Sequence, residues 1–110
     1  MSGPRMSPVG PLATAETLSR ALASHGVATD VHDGYGLALV SVWVGLVVWC
    51  DGYRYWWRTG WNTERRRVIY AWHPASDPDR AARRVLLRFG DLREQGLSDG
   101  LAELVLDGRP

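Results

Sequence analysis

The chain has 110 residues, a net charge of +1 and 45% hydrophobic residues, which is typical of a single globular domain with its own core. The near-neutral charge argues against a strong global field for nucleic acid or membrane, and one cysteine, Cys50, excludes an internal disulfide and a cysteine-based zinc site. Because the N-terminus also has no apolar signal segment, we predict a cytoplasmic protein.

The beginning of the chain is rich in Gly, Pro and Ser, so residues 1–12 are predicted to be a disordered lead to a domain over residues 13–106, with a frayed tail at 107–110. Thr14 is the predicted N-cap of a first helix that carries an apolar stripe and runs to about His25. Gly26 supplies its left-handed stop.

A long apolar segment, residues 34–50, lies between two Asp-Gly pairs, Asp33-Gly34 and Asp51-Gly52. Each pair predicts a two-residue hairpin turn, which makes the segment one strand with a partner on each side. In this register Thr29 opposes Ala38 and Val48 opposes Tyr55. Val44-Gly45 is interpreted as a bend or bulge in that strand, because a β-branched residue resists the positive φ of a primed turn.

The same segment has an alternative interpretation as a membrane span. It is 17 residues long and carries no charge, which is the lower limit for a transmembrane helix. Its β-branched residues and the closely flanking aspartates favour a strand instead. We therefore expect no membrane partner.

The second half of the chain predicts a further strand and helix. Val68–Trp72 reads as a fourth strand that ends at His73-Pro74. Asp77-Pro78 is a typical helix start, Gly96 closes that helix, and the tail from Ser98 to Leu106 can add a short one. The predicted fold is α+β: a helix, a four-stranded antiparallel meander and a helix, with the helices packed on one face of the sheet.

The second face of this sheet is predicted to be open. Alternation along the strands gives it tryptophans and arginines where a solvated face would carry polar residues. Such a patch marks an interaction site, unless the tail or the N-terminal segment folds over it. We predict a non-enzymatic interaction or regulatory module that forms a homodimer or binds a protein partner. The candidate residues are Leu39, Trp43, Trp49, Arg54, Trp56 and Arg58.

Nucleic-acid binding is an alternative function. The segment from Arg54 to Arg88 carries nine arginines against three acidic residues, a net +6, whereas the remainder of the chain is acidic. A loop of three arginines and a helical row of four could bind phosphates, although such rows are often simply solvated. These residues are Arg65, Arg66, Arg67, Arg80, Arg83, Arg84 and Arg88.

A small-ligand pocket between sheet and helices is a further alternative, with Tyr53, Tyr55 and Trp57 as its lining. Signals for an enzyme are weak, because the three histidines are scattered and Cys50 lies on the predicted core face, as a structural thiol does. We therefore predict no catalytic residue, no metal site and no cofactor.

The run GYGLALVSVWVGLVVWCDG at residues 34–52, with HPASDPDRAARRV at residues 73–85, resembles small proteins of high-GC Gram-positive (actinobacterial) bacteria. The resemblance extends over about residues 15–90. That group has no assigned activity, so the resemblance implies a cytoplasmic, regulatory accessory protein and adds no site residue.

Overall fold

The computed structural model describes residues 10–107, with side chains up to residue 96. It contains two helices and five strands. In chain order these are α1 (Pro11–Ala23), β1 (Asp30–Gly34), β2 (Leu37–Trp43), β3 (Leu46–Cys50), β4 (Arg54–Asn62), β5 (Arg67–Pro74) and α2 (Pro78–Asp107). The strands form one antiparallel sheet in the order β1-β2-β3-β4-β5. The α+β class is thus confirmed, and the prediction of four strands is wrong.

The first helix begins earlier than predicted. Gly10 is the N-cap residue and Pro11 occupies the first turn, where its missing N–H costs nothing. Thr14 is therefore not the cap: it lies inside α1, is buried, and donates its hydroxyl hydrogen bond to the Pro11 carbonyl at 2.8 Å. Of the predicted disordered lead, residues 1–9 lie outside the described part of the chain.

The β1–β2 turn consists of Tyr35 and Gly36 rather than Asp33 and Gly34. Both turn residues have positive φ, 56° and 78°, as a type I′ turn requires. Asp33 pairs with Ala38 at the end of the ladder, so the predicted partner of Ala38 is wrong by four residues. Because that shift is even, each β1 side chain stays on its predicted face.

The predicted long central strand is in fact two strands joined at Val44-Gly45. Gly45 has φ +80°, whereas Val44 is not among the positive-φ residues. A turn with positive φ only at its second central residue, as in type II, accepts a β-branched residue in the first position. The bulge or bend interpretation is therefore wrong at Gly45, although a register shift does occur nearby, between Ser41 and Trp43 in β2.

The Asp51-Gly52 turn is longer than a two-residue hairpin. The Asp51 carboxylate accepts hydrogen bonds from the backbone N–H groups of Tyr53 and Arg54, both at 2.9 Å. This Asx-type arrangement places Cys50 opposite Tyr55 and shifts the predicted pairing by two residues, which again preserves the faces.

The β4–β5 hairpin is longer than predicted and extends beyond its neighbour. β4 pairs with β3 at three positions but with β5 at eight, as far as Asn62 opposite Arg67. The distal part of the hairpin, residues 59–69, is thus a two-stranded arm. Its turn includes Arg66 with φ +52°, and the Asn62 side chain accepts a hydrogen bond from the Arg65 N–H.

The second helix is continuous from Pro78 to Asp107. Its predicted cap is confirmed, since the Asp77 carboxylate accepts a hydrogen bond from the Arg80 N–H at 3.2 Å. Gly96 does not end the helix, because a glycine in a helix costs about 1 kcal/mol without forbidding it. The separate terminal helix is therefore wrong, and residues 108–110 of the predicted tail lie outside the described residues. Within residues 10–107, no helix has the length and apolar character to cross a membrane.

The core lies between one face of the sheet and the two helices. Alternate residues of β2, β3 and β4 point into it, and each helix contributes small or branched apolar side chains that allow close approach. One buried cluster contains all of them: Ala15, Leu18, Leu22, Ala38, Val40, Val42, Leu46, Val48, Cys50, Tyr55, Trp57, Ala81, Ala82 and Val85.

Candidate interaction face

A row of paired residues crosses the face of the sheet that is opposite to the core. Strand pairing places His32, Leu39, Trp49, Trp56 and Trp72 side by side on β1 to β5. Cross-strand partners share a face. The next residues along β2, β3 and β4 belong to the buried cluster, so this row lies on the helix-free side. We call this surface the open face.

The tryptophans of this row are accessible. Trp49 is 37% exposed in the central strand and Trp72 is 56% exposed at the β5 edge, with Trp56 partly buried between them. The Arg54 guanidinium lies 5.5 Å from the centroid of the Trp72 ring, within the range of a cation–π contact. Of the predicted face residues, the structure thus brings together Leu39, Trp49, Trp56 and Arg54.

A second row extends the open face. Arg58 on β4 pairs with Tyr70 on β5, two residues along from the Trp56–Trp72 pair, and Tyr70 is 56% exposed. Arg58 is exposed as predicted and borders the aromatic surface. The face therefore combines flat aromatic rings with two guanidinium groups, which is the composition of interface hot spots.

Two open depressions flank Trp49 on this surface. One, of about 370 Å³, lies over β1 and β2 and is lined by His32, Leu37, Leu39 and Trp49 among others. The other, of about 540 Å³, lies over β4 and β5. Its lining consists of Asp51, Arg54, Trp56, Tyr70 and Trp72. Both depressions are shallow and open to solvent.

Trp43 does not belong to the open face. The register shift after Ser41 pairs Trp43 with the buried Leu46, which puts the two on the core side. There the Trp43 ring meets Phe89 of α2 edge to face at 5.6 Å, and the Arg93 guanidinium lies 5.8 Å from its centroid. Its predicted position beside Trp49 is therefore wrong.

Sequence reasoning missed Trp72, Tyr70 and Trp61. Trp61 is in β4 opposite Val68, on the same side of the arm as Tyr70, and is half exposed. Continuing the period-2 alternation from Trp56 through the turn into β5 would have identified Tyr70 and Trp72. Trp61 has the opposite parity because of the irregularity between Arg58 and Gly60, so alternation alone does not find it.

The arginines of the nucleic-acid alternative occupy two separate elements. Arg65, Arg66 and Arg67 are exposed at the tip of the β4–β5 arm, whereas Arg80, Arg83, Arg84 and Arg88 follow α2. Arg84 is engaged within the fold: it donates to the Trp72 carbonyl at 2.7 Å, and its guanidinium lies 5.2 Å from the Trp57 ring centroid. Arg88 is partly buried, with Arg84 and Trp57, around a cleft of about 280 Å³. Arg80 lies 3.7 Å from Asp77.

The structure separates the three residues of the ligand-pocket alternative. Tyr55 and Trp57 are buried members of the core, and the Tyr55 hydroxyl donates a hydrogen bond to the Thr14 carbonyl at 2.8 Å, which links α1 to the sheet. Tyr53 is exposed in the turn before β4. These three side chains do not line a common pocket.

Cys50 lies beside Tyr55 in the core. Burial, followed by the nearby Asp51 carboxylate, raises the pKa of the Cys50 thiol to about 12. Burial, with a smaller contribution from Cys50, also raises the pKa of the Tyr55 hydroxyl. A thiol that stays protonated at neutral pH is a poor nucleophile. Among the residues whose side chains are described, no three His, Cys, Asp or Glu residues converge as metal ligands would.

Comparison with known proteins adds no relative: no protein-family model matches the chain, and no similar curated protein or solved structure is found. The resemblance to small actinobacterial proteins therefore stays a prediction. Functional inference rests on the open face and on the chemistry of its residues.

Proposed function

We propose that the protein is a non-enzymatic interaction or regulatory module that associates with protein through its open face, as a homodimer or with a protein partner. The observation that carries this proposal is the continuous row Trp49–Trp56–Trp72 across three neighbouring strands on the helix-free side of the sheet. An antiparallel face that functions only as a solvated surface alternates with polar residues instead.

The energetics favour covering this face. Removing an exposed aromatic side chain from water is worth about 1.5–3 kcal/mol when the burial is complete. Trp72 and Tyr70 still expose more than half of their surface in the isolated chain, so most of that gain is left for a partner. Arg54, stacked on Trp72, can supply directed hydrogen bonds at the rim of the contact.

Nucleic acid is the second candidate, favoured by the exposed arginines Arg65–Arg67 at the tip of the arm. Two features weaken it. Arg84 already donates to the Trp72 carbonyl, and the carboxylates of Asp77 and Asp79 flank the start of α2, where they oppose phosphate. Affinity for an oligonucleotide that falls steeply with salt would be its signature.

Tryptophan labelling read by peptide mass spectrometry tests the proposal. We expect Trp49, Trp56 and Trp72 to lose reactivity as the protein is concentrated, or in a nuclease-treated cell extract, while a mixed-sequence oligonucleotide leaves them unchanged. If the reactivity of each of these three residues stays the same at every protein concentration and in the cell extract, the proposal is overturned. Protection by the oligonucleotide alone would support the second candidate.

A matched pair of variants controls for general effects of added charge. Trp49→Glu places a carboxylate at the centre of the open face, and Leu87→Glu places one on α2 at a 73% exposed apolar residue. Light scattering after size exclusion should show lost association for Trp49→Glu and unchanged association for Leu87→Glu. Similar behaviour of the two variants would contradict the assignment of the interface to this face.

A further inference from the structure

Charge is distributed unevenly across the open face. Between Arg20 and Arg54 the chain contains no basic residue other than histidine, and Asp30 lies on the β1 edge of this face. The opposite half of the face carries Arg54 and Arg58 on β4, with Asp51 beside Arg54 in the same depression. The β1 edge therefore carries one negative charge and the opposite half a net positive charge, with Trp49 on the central strand between them.

A surface of this kind is complementary to itself in one orientation. A two-fold axis parallel to the strands places β1 of one copy over β5 of the other, β2 over β4 and β3 over itself. Asp30 then lies over Tyr70 of the other copy, one strand away from its Arg58, and Trp49 meets its own counterpart at the centre. An axis across the strands at Trp49 would instead place Arg54 of each copy over Arg58 of the other, and these like charges repel.

The size of the surface is adequate for such a pair. A fully exposed aromatic side chain offers on the order of 200 Å². Trp49 exposes 37% of its surface, and Leu37, Trp61, Tyr70 and Trp72 expose between 38 and 56%. Together these five side chains offer on the order of 500 Å² per copy. The stems of Arg54 and Arg58 extend this toward the roughly 800 Å² per partner of a standard interface.

We propose that the partner of the open face is a second copy of this chain, related by a two-fold axis that runs parallel to the strands and passes beside Trp49. This inference rests on the proposed function and names its partner. Leu39 of each copy then faces Trp56 of the other, and Ser41 faces Arg58. The two sheets pack about 10 Å apart with their strands rotated by about 30°.

Site-directed cross-linking of the full chain distinguishes the two axes. Val47 and Ser41 are partly buried on β3 and β2, and Arg58 is exposed on β4, so Val47→Cys, Ser41→Cys and Arg58→Cys are mild changes. Cys50 is buried with a raised pKa and stays unreactive. A short homobifunctional maleimide that reaches across packed sheets is added to each variant alone and to the mixture of Ser41→Cys with Arg58→Cys.

We expect Val47→Cys to cross-link with itself, and Ser41→Cys to cross-link with Arg58→Cys at a yield at least several-fold above either variant alone. A dimer in which the mixture of Ser41→Cys with Arg58→Cys gives no more product than either variant alone would overturn the proposed axis while leaving association through the face intact. A chain that light scattering shows to be monomeric at every concentration would overturn self-pairing, and unprotected tryptophans in cell extract would then overturn the proposed function as well.

Discussion

The turn at Val44-Gly45 offers a sharp test, because two glycines with the same free space differ only in backbone conformation. An added Cβ at Gly45 or at Gly60 meets nothing within 4 Å, but Gly45 has φ +80° and Gly60 does not have positive φ. An L-residue in the left-handed region costs about 1–2 kcal/mol. Against this, replacing glycine by alanine restricts the unfolded chain, which stabilises by about 0.4–1 kcal/mol.

We therefore expect Gly45→Ala to lower the free energy of unfolding by about 1 kcal/mol and Gly60→Ala to leave it unchanged or raise it by about 0.5 kcal/mol. Gly45→Asn should cost less than Gly45→Ala, since asparagine tolerates positive φ. Urea denaturation of the three variants at equal protein concentration measures these differences. Equal effects at residues 45 and 60 would refute the turn and restore a continuous central strand.

Three other predictions concern stability. Tyr55→Phe removes the hydrogen bond to the Thr14 carbonyl and should cost about 1 kcal/mol in urea denaturation, with α1 losing amide-exchange protection first. Asp77→Ala removes the cap of α2 and should cost about 1 kcal/mol, whereas Asp77→Asn should recover most of it. The pKa of the Cys50 thiol is raised in the folded state. The free energy of unfolding that the protonated thiol contributes is therefore fully present below the unfolded-state pKa near 9, and it is lost as pH rises toward about 12. Stability should fall across that window by about 1.4 kcal/mol per pH unit for this thiol, and Cys50→Val should flatten the decline.

The parts of the fold that sequence predicted correctly depend on local chemistry. Asp77-Pro78 combines a cap side chain with a residue that suits the first turn, and both act within one helical turn. The positions of the turns were harder to predict. Asp33-Gly34 and Tyr35-Gly36 both contain glycine, and only the pairing along the whole β1–β2 ladder decides which of them forms the turn. Tyr35 adopts φ 56°, which is uncommon for a bulky residue, so its own preference gave no signal.

The open face was more predictable than the register that builds it. A side chain changes face only when pairing shifts by an odd number of residues. The β1–β2 and β3–β4 registers differ from prediction by even numbers, so Trp49 and Trp56 stay on the face where alternation placed them. Trp43 is the exception, since the shift between Ser41 and Trp43 is a single residue and turns its ring toward Phe89 of α2. That irregularity in β2 therefore assigns one tryptophan to the core side and leaves the centre of the open face to Trp49.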